Sequence, residues 1–216
     1  AAALLVTGDG AAALTEAREA VRLDAHQPIA RFVLLQLAVE RHDGPDAESH
    51  AADLVASGHD GYAVRLSAAR AALMRGDLPT MRAALEAALV FDPQRLEALQ
   101  GLSMLATETH DAALGRTTLE RLVAVDQHDR VSLAALLVAL RDASDWPAIV
   151  ALRERVRFCD PHNAEGHAIV ARALSETGEP REALAEADLG LLAEPSAPGP
   201  LHLERVRALV ALRRSR

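Results

Sequence analysis

Lysine is missing from this sequence of 216 residues, whereas arginine occurs 23 times, which is typical of proteins encoded by GC-rich genomes. Aromatic residues are also scarce, at 2%, although half of the residues are hydrophobic. No run alternates Val, Ile, Thr and Tyr in the way that a half-buried strand does. The apolar residues are mainly Ala and Leu, which are strong helix formers. The composition therefore predicts an all-α fold.

Other absences narrow the classes of function. The single cysteine, Cys159, cannot form an internal disulfide and leaves the cellular compartment open. The net charge is −8, and the only basic cluster is the short tail Arg213, Arg214 and Arg216, so we expect no nucleic-acid partner. No apolar run is long enough to span a membrane.

Signals of catalysis and metal binding are missing as well. The glycines occur singly, so no phosphate-binding loop is predicted, and the HExxH motif is absent. His162, Glu165 and His167 lie close in sequence, but their spacing fits no common zinc motif. We therefore expect no enzyme activity, no cofactor and no metal, and we expect the histidines in exposed loops and helix caps.

A unit of 34 residues recurs along the chain and is marked by two short signals. The first signal is Gly76-Asp77, and steps of 34 residues reach five more dipeptides with an acidic second residue: Gly8-Asp9, His42-Asp43, His110-Asp111, Ser144-Asp145 and Gly178-Glu179. The second signal is Asp92-Pro93, and five of its six equivalent first positions are acidic. Two signals that keep one period predict a helical-repeat protein.

Each repeat is interpreted as two helices, A and B. The acidic residue of the first signal can cap helix B, and the proline of the second signal disfavours helical geometry in the residue before it. In the fifth repeat these limits predict one helix B over Trp146–Phe158. The repeats are predicted at residues 1–27, 28–61, 62–95, 96–129, 130–163 and 164–198, with a closing helix at 200–214. Both ends fall inside a repeat, so we expect a piece of a longer protein.

These residues resemble the tetratricopeptide repeat (TPR) family, a helical hairpin with Gly-Asp between the helices, Ala at two inner positions and Asp-Pro at the end. The matches are Gly8-Asp9, Ala13, Ala20 and Asp24; Gly76-Asp77, Ala88 and Asp92-Pro93; Asp145-Trp146 and Asp160-Pro161; and Gly178-Glu179, Ala183 and Glu194-Pro195. The sequence departs from the pattern at Leu54, Leu122 and Val156, which replace the second inner Ala, and at Gly115. The resemblance covers nearly the whole chain. It implies a right-handed α-solenoid, or superhelix, of 34-residue helix-turn-helix repeats, in a single domain over residues 1–216.

The resemblance also implies a binding surface, because helix A lines the concave groove of TPR proteins. The groove positions in this chain are Ile29, Phe32, Gln36, Val39, Leu66, Arg70, Leu73, Met74, Gln100, Met104, Val138, Arg141 and Arg172. The N-terminal part of this set is apolar, which is typical of an interface, and its arginines are suited to carboxylates. The alternative is that neighbouring helices bury these side chains.

We therefore expect a protein–protein interaction scaffold or adaptor that binds a partner peptide or helix in its groove. One alternative is a regulatory or substrate-recruiting segment of a larger enzyme or transcription regulator. Another is self-association through unfinished repeat ends. The TPR subclass that holds a C-terminal carboxylate with Lys and Asn is disfavoured, because Asn163 is the only Asn and Lys is absent.

Two single residues have simpler expected roles. Cys159 falls at the end of a helix B, at a position shared with Leu23, Phe91 and Val125, and is expected to be a small, buried, inward-facing hydrophobe. Trp146 follows a capping aspartate and is expected to pack against helix A of its own repeat.

Overall fold

The computed structural model describes residues 10–25 and 27–214, and the chain divides into two compact units, Ala1–Thr109 and His110–Arg216. We call these unit 1 and unit 2 and describe each by itself. The described part of unit 1 consists of six helices: α1 (Gly10–Leu23), α2 (Pro28–Glu40), α3 (Gly44–Ala56), α4 (Tyr62–Met74), α5 (Leu78–Phe91) and α6 (Leu96–Glu108). The predicted Gly8-Asp9 turn, the half helix before it and His26 lie outside the described residues.

Unit 2 is helical as well, and no strand occurs in the described part of either unit. Its helices are α7 (Ala112–Val125), α8 (Arg130–Asp142), α9 (Trp146–Ala151), α10 (Arg153–Cys159), α11 (Ala164–Glu176), α12 (Pro180–Leu192) and α13 (Gly199–Arg214). Within each unit every helix packs against the next one in the chain. Helices A of consecutive repeats also touch, α2 with α4 in unit 1 and α11 with α8 and α13 in unit 2. The predicted all-α helical-repeat solenoid fold is thereby confirmed at the level of fold class.

The acidic residues of the first signal act as helix caps. Asp43, Asp77, Asp111 and Asp145 each accept a hydrogen bond from the backbone N–H three residues ahead, over 3.2, 3.1, 2.9 and 3.3 Å. These bonds satisfy backbone donors that the first turn of helix B leaves free. Glu179 makes no such bond, and its longer side chain accepts from the Thr177 hydroxyl instead. The capping prediction therefore holds for these four aspartates and is wrong for Glu179, whereas Asp9 lies outside the described residues.

The residue before each cap explains the glycine of the first signal. The backbone there is left-handed at five repeats, with φ angles of 58°, 70°, 53°, 56° and 85° at His42, Gly76, His110, Ser144 and Gly178. This conformation lets the next N–H reach back to the last turn of helix A, as in the bond from Asp77 to the Ala72 carbonyl at 2.9 Å. One dipeptide thus ends helix A and begins helix B.

The second signal ends helix B as predicted. Helices α5, α7 and α10 stop directly before Asp92, Asp126 and Asp160. The prediction of one continuous helix over Trp146–Phe158 is wrong, however, because the helix is interrupted at Leu152. The Leu152 N–H bonds to the Ile149 carbonyl, three residues back, at 3.0 Å, so the chain tightens there into a 3₁₀-type turn.

The cores are built from the inner faces of these helices. The described part of unit 1 includes two apolar clusters formed mostly by Ala, Leu and Val of α1 to α4, and α5 and α6 bury further apolar residues such as Leu85 and Leu99. Unit 2 has one large cluster, to which α8, α9, α10 and α11 contribute Leu, Ile and Val. Leu54, Leu122 and Val156, which replace an inner Ala, are all nearly fully buried. The closing helix α13 buries a narrow stripe formed by Leu201, Glu204 and Ala208. Among the described helices, none is both long and apolar enough to cross a bilayer.

Candidate partner-binding surface

The predicted groove positions of unit 1 are only partly covered. Ile29 on α2 is 61% exposed, and Leu73 on α4 and Met104 on α6 are each 43% exposed. Arg70 and Gln100 are exposed as well. Leu23, Val90 and Phe91 on helices B of this unit are exposed as well. What distinguishes Ile29, Leu73 and Met104 is that they occur on three successive A helices.

The other predicted groove residues of unit 1 are half-buried. Phe32 and Val39 are half-buried and pack against the cluster of α2, α3 and α4, while Leu66 and Met74 are also half-buried. Gln36 is half-buried, and its Nε2 donates a hydrogen bond of 2.9 Å to the Ser67 hydroxyl on α4. The Gln36 hydrogen bond therefore links α2 to α4, and Phe32 and Val39 pack against a cluster to which both helices contribute.

In unit 2 the predicted cations are already engaged. Arg141 lies 2.9 Å from Asp142 and 3.7 Å from Glu165, and Arg172 lies 2.5 Å from Glu176. Val138 is half-buried and packs against the core of the unit. An acidic ligand at either arginine would have to compete with a carboxylate that is already in place.

Arg141 and Arg172 also border a pocket of about 490 Å³ in unit 2. This volume lies in the range of small-ligand sites. The pocket is formed by α8, α11, α13 and the segment that precedes α13, and its lining residues are Arg141, Ala164, Glu165, Ala168, Ile169, Arg172, Pro195, Ser196, Ala197, Pro200, Leu201 and Glu204. The sequence pattern gave no sign of this pocket, because it depends on the irregular, proline-rich segment before α13.

Glu204 is the unusual residue of this pocket. It is 6% exposed, its Oε1 accepts a hydrogen bond of 2.5 Å from Arg207, and its Oε2 is buried without a hydrogen-bond partner among the described residues. Burial raises the pKa of Glu204, against the opposing effect of the charges on Arg207 and Arg172. An ionised carboxylate with an unused buried oxygen is destabilised until a donor reaches it.

A second buried carboxylate, Glu186 of α12, is fully paired. It is completely buried; its Oε2 accepts from Arg153 Nε at 2.9 Å and from Arg157 Nη2 at 2.7 Å, and its Oε1 lies 2.7 Å from His167 Nδ1. Burial raises the pKa of Glu186, but the hydrogen bonds from His167, Arg157 and Arg153 outweigh it and hold the pKa below its usual range.

The geometry around His167 indicates its charge. Its Nδ1 faces the Glu186 carboxylate and its Nε2 faces the Pro161 carbonyl at 3.0 Å, so both ring nitrogens meet acceptors. Only the imidazolium form donates from both nitrogens. Consistent with this, the hydrogen bond to Glu186 raises the pKa of His167, although burial opposes it.

This cluster corrects the expectation that the histidines are exposed, because His167 is 2% exposed. The sequence held a signal that was missed: Glu186 follows Ala183 by three residues and precedes Gly190 by four, which places it on the apolar stripe of α12. In contrast, His162 and Glu165 are exposed. The described residues contain no group of three or more His, Cys, Asp or Glu side chains that could hold a metal ion.

The two single residues behave differently from each other. Trp146 is half-buried and packs against the core of unit 2, to which helix A of its own repeat, α8, contributes four leucines. Cys159 is half-buried, and its thiol donates to the Gln127 carbonyl at 2.8 Å. The prediction of a shared inward position is wrong, because Leu23 is 73% and Phe91 is 49% exposed.

The sequence and the fold were compared with those of known proteins. No protein-family model and no curated protein matches the sequence. The fold is similar to a chain in the structure of Naa15/Naa10 bound to HypK-THB, with a TM-score of 0.70 and 12% identity, over 98% of this chain and 33% of that one. This chain thus spans about a third of that relative.

Two further structures match over most of both chains. YrrB, described as a TPR protein with an unusual peptide-binding site, aligns with a TM-score of 0.58 and 13% identity, over 88% of this chain and 97% of its own. A tetratricopeptide repeat protein from Parabacteroides merdae aligns with a TM-score of 0.55 and 13% identity, over 98% and 88% of the two chains. Together with the hairpins and their caps, these similarities show that the chain has the tetratricopeptide repeat fold.

Proposed function

We propose that the chain is a protein-interaction scaffold or adaptor that binds a partner peptide or helix on the A-helix faces of its hairpins. The observation that carries this proposal is the exposure of Ile29, Leu73 and Met104 on the successive A helices of unit 1. Exposed apolar surface of this kind marks interaction sites in soluble proteins. Methionine in such a surface suits adaptable packing.

The side chains between the exposed residues are held by contacts within the protein itself. The side chains that flank the exposed ones, Phe32 and Val39, pack against the core, and Gln36 is hydrogen-bonded across to α4. Binding would therefore reduce the conformational entropy of the partner but cost little conformational entropy in this protein, which favours affinity. The matching ligand is an amphipathic helix, whose apolar residues recur every three to four positions.

Charged residues would orient such a partner. Arg70 in unit 1 would bind an acidic group of the partner, whereas Arg141 and Arg172 in unit 2 keep the carboxylates that they already hold. The proposal involves no catalysis, no cofactor, no nucleic acid and no membrane insertion.

YrrB is described as having a peptide-binding site, and its fold is similar to that of this chain. This similarity of fold is the support that YrrB gives to the proposal. A second candidate function is a segment of a larger regulatory or recruiting protein. It is favoured by the match to one third of a chain in the Naa15/Naa10 structure, where the same arrangement of helices is part of a longer chain.

The test is affinity capture with matched variants of unit 1. Leu73→Asp places a charge on the A-helix surface, whereas Val90→Asp places the same charge on α5, where Val90 is 79% exposed. We expect Leu73→Asp to lose the captured partner and Val90→Asp to retain it, with both variants fully helical by circular dichroism. Retention of the partner by Leu73→Asp and by Met104→Asp would overturn the proposal.

Light scattering against concentration separates a foreign partner from a second copy of the chain. A mass that stays constant while the partner is captured supports an adaptor. A mass that doubles in the wild type but not in Leu73→Asp would assign the surface to self-association instead.

A further inference from the structure

The pocket of unit 2 contains one hydrogen-bonding atom that the protein does not use. Glu204 is nine-tenths buried, and its Oε2 has no partner among the described residues, although its Oε1 is bound by Arg207. Buried polar atoms in folded proteins are almost always paired, and an exception calls for a ligand or another specific explanation.

The hydrogen bond from Arg207 favours the ionised form of Glu204, and the missing partner of an ionised carboxylate is a donor. The cationic side chains near Glu204 already have acceptors: Arg172 is paired with Glu176, Arg141 with Asp142, and Arg207 with Glu204 itself. Among the described residues that line the pocket, every arginine therefore already has an acceptor, and the unsatisfied atom is itself an acceptor that carries part of a negative charge. A ligand with an anionic group would have to displace an existing ion pair and would leave Oε2 unpaired.

The walls of the pocket determine the rest of the ligand. Apolar side chains line the pocket together with Glu204, among them Ala168 and Ile169 of α11 and Leu201 of α13. Walls of this kind suit a methylene stem, as in Arg and Lys side chains, which bury their stems and keep the charge for a polar partner. Because only one oxygen of Glu204 is free, a single N–H donor is sufficient, and both an ammonium and a guanidinium group can supply it.

We propose that this pocket binds a cationic group carried on an aliphatic stem, supplied by a basic side chain of the partner protein. The proposal rests on the proposed scaffold function and names the chemistry of the partner at unit 2. The hydrogen bond to Glu204 is charge-assisted and shielded from solvent, which makes it stronger than an exposed pair. The pocket would thus act as an anchor for one basic residue.

The first experiment uses small probes and no partner. We expect n-butylguanidinium to shift the backbone amide resonances of Ala168, Ile169 and Leu201 in NMR titrations of the full chain. Its neutral isostere n-butylurea should bind about tenfold more weakly, which is the order of one charge-assisted hydrogen bond. The anion pentanoate should cause no shifts at these residues.

Variants locate the effect. Glu204→Gln keeps the size of the side chain but removes its charge, and it should abolish the preference for n-butylguanidinium over n-butylurea. Glu182→Gln, an exposed change on α12, is the matched control and should leave that preference intact. Ala168→Leu should weaken both probes, because it adds bulk to a residue that lines the pocket. Equal binding of the charged and neutral probes to the wild type, or tighter binding of pentanoate, would overturn the proposal.

A further comparison identifies the source of the cation. The blocked peptide acetyl-Ala-Arg-Ala-amide should bind more tightly than spermidine if the natural ligand is a protein side chain, and the reverse order would overturn the assignment to a partner protein. All of these titrations lack the partner and concern unit 2. Their failure is therefore distinguishable from failure of the capture experiment, which concerns Leu73 and Met104 of unit 1.

Discussion

The two units use the same hairpin but fill it in different ways. Among the described residues of unit 1, the only buried polar side chain is Ser67, and the rest of its core is apolar. Unit 2 buries five polar or charged side chains, Thr118, Ser132, His167, Glu186 and Glu204. The comparison shows that a helical repeat keeps its backbone pattern while its interior ranges from apolar to ionic.

The ion pairs of the two units differ accordingly. In unit 1 the pairs Arg31–Asp53 and Arg75–Glu48 each include a carboxylate that is nearly half exposed, and exposed pairs of this type contribute little to stability. In unit 2, Glu186 has no exposed surface and holds three cationic side chains. Removal of one member of a buried cluster leaves the others uncompensated, so the cost of losing Glu186 is much larger.

The largest expected effect therefore comes from Glu186→Ala. It leaves His167, Arg153 and Arg157 without their shared acceptor and should destabilise unit 2 by about 3–5 kcal/mol. The unit 1 counterpart Asp53→Ala removes a half-exposed partner and should cost less than about 1 kcal/mol. Urea denaturation followed by circular dichroism measures both changes, and equal costs would remove the distinction between the units.

The second comparison concerns the space around one buried glycine of unit 2 and one helical glycine of unit 1. A Cβ at Gly190 would lie 2.6 Å from Leu201 Cδ2 and 2.8 Å from His167 Cβ, so Gly190→Ala should destabilise unit 2 by about 1–3 kcal/mol. A Cβ at Gly101 of unit 1 would lie 3.0 Å from the two terminal methyl groups of Leu85, which would have to move by only a few tenths of an ångström. Gly101→Ala should be close to neutral, because the higher helix propensity of Ala offsets the contact. The same denaturation measurement decides, and a Gly101→Ala cost as large as that of Gly190→Ala would contradict the contrast.

The pH dependence of the free energy of unfolding should distinguish unit 2 from unit 1. The raised pKa of His167 means that its contribution is complete below the unfolded pKa of about 6.5 and is lost as the pH rises through the folded pKa. The lowered pKa of Glu186 means that its contribution is complete above about 4.3 and is lost as the pH falls through the folded pKa.

The cluster should therefore stabilise unit 2 most between about pH 4.3 and 6.5. The effect of raising the pH is smaller than that of Glu186→Ala, because both arginines stay on Glu186 when His167 loses its proton. The measurement compares the pH profiles of the unfolding free energy of the wild type and of His167→Gln above about pH 6.5, where the wild type should lose stability and the variant should not. Equal slopes of the two profiles in that range would refute the charged state assigned to His167.

The smallest expected effect is at the turns. Ser144→Gly in unit 2 and His42→Gly in unit 1 both relieve a left-handed backbone, which costs a residue with a side chain about 1–2 kcal/mol. Since glycine also makes the unfolded chain more flexible, the net stabilisation should be about 0.5–1 kcal/mol in each unit. Thermal unfolding measures the change, with Gly76→Ala as the opposite control. The two substitutions should stabilise their units by similar amounts. Destabilisation by Ser144→Gly would argue against backbone strain at this position.

The turns and helix ends were predictable because they depend on residues close in sequence. Asp77 caps α5 through an N–H three residues away, and Asp92 follows the last residue of the same helix. The 34-residue period then transfers each local rule to the other repeats. Glu179 shows the limit of that transfer, since it shares the position and the charge but not the bond.

What could not be predicted depends on contacts between distant residues. The break at Leu152 has no glycine or proline to announce it, and the partners of Glu186 come from helices α10 and α11. The candidate surface lies between these cases. Its positions came from the resemblance to TPR proteins, but which of them are exposed, as Leu73 is, and which support the core, as Phe32 does, depends on how neighbouring helices pack.

The turn shared by the two helices of a hairpin has a consequence for how the chain reaches its native state. Each such turn is complete within a few residues, since the Asp77 amide bonds back to Ala72 and its carboxylate bonds forward to Thr80. The turn can therefore fix how helix A and helix B of one hairpin lie against each other before the rest of the chain has folded. In a repeat protein this makes each hairpin a possible starting point, from which ordered structure spreads to its neighbours in either direction.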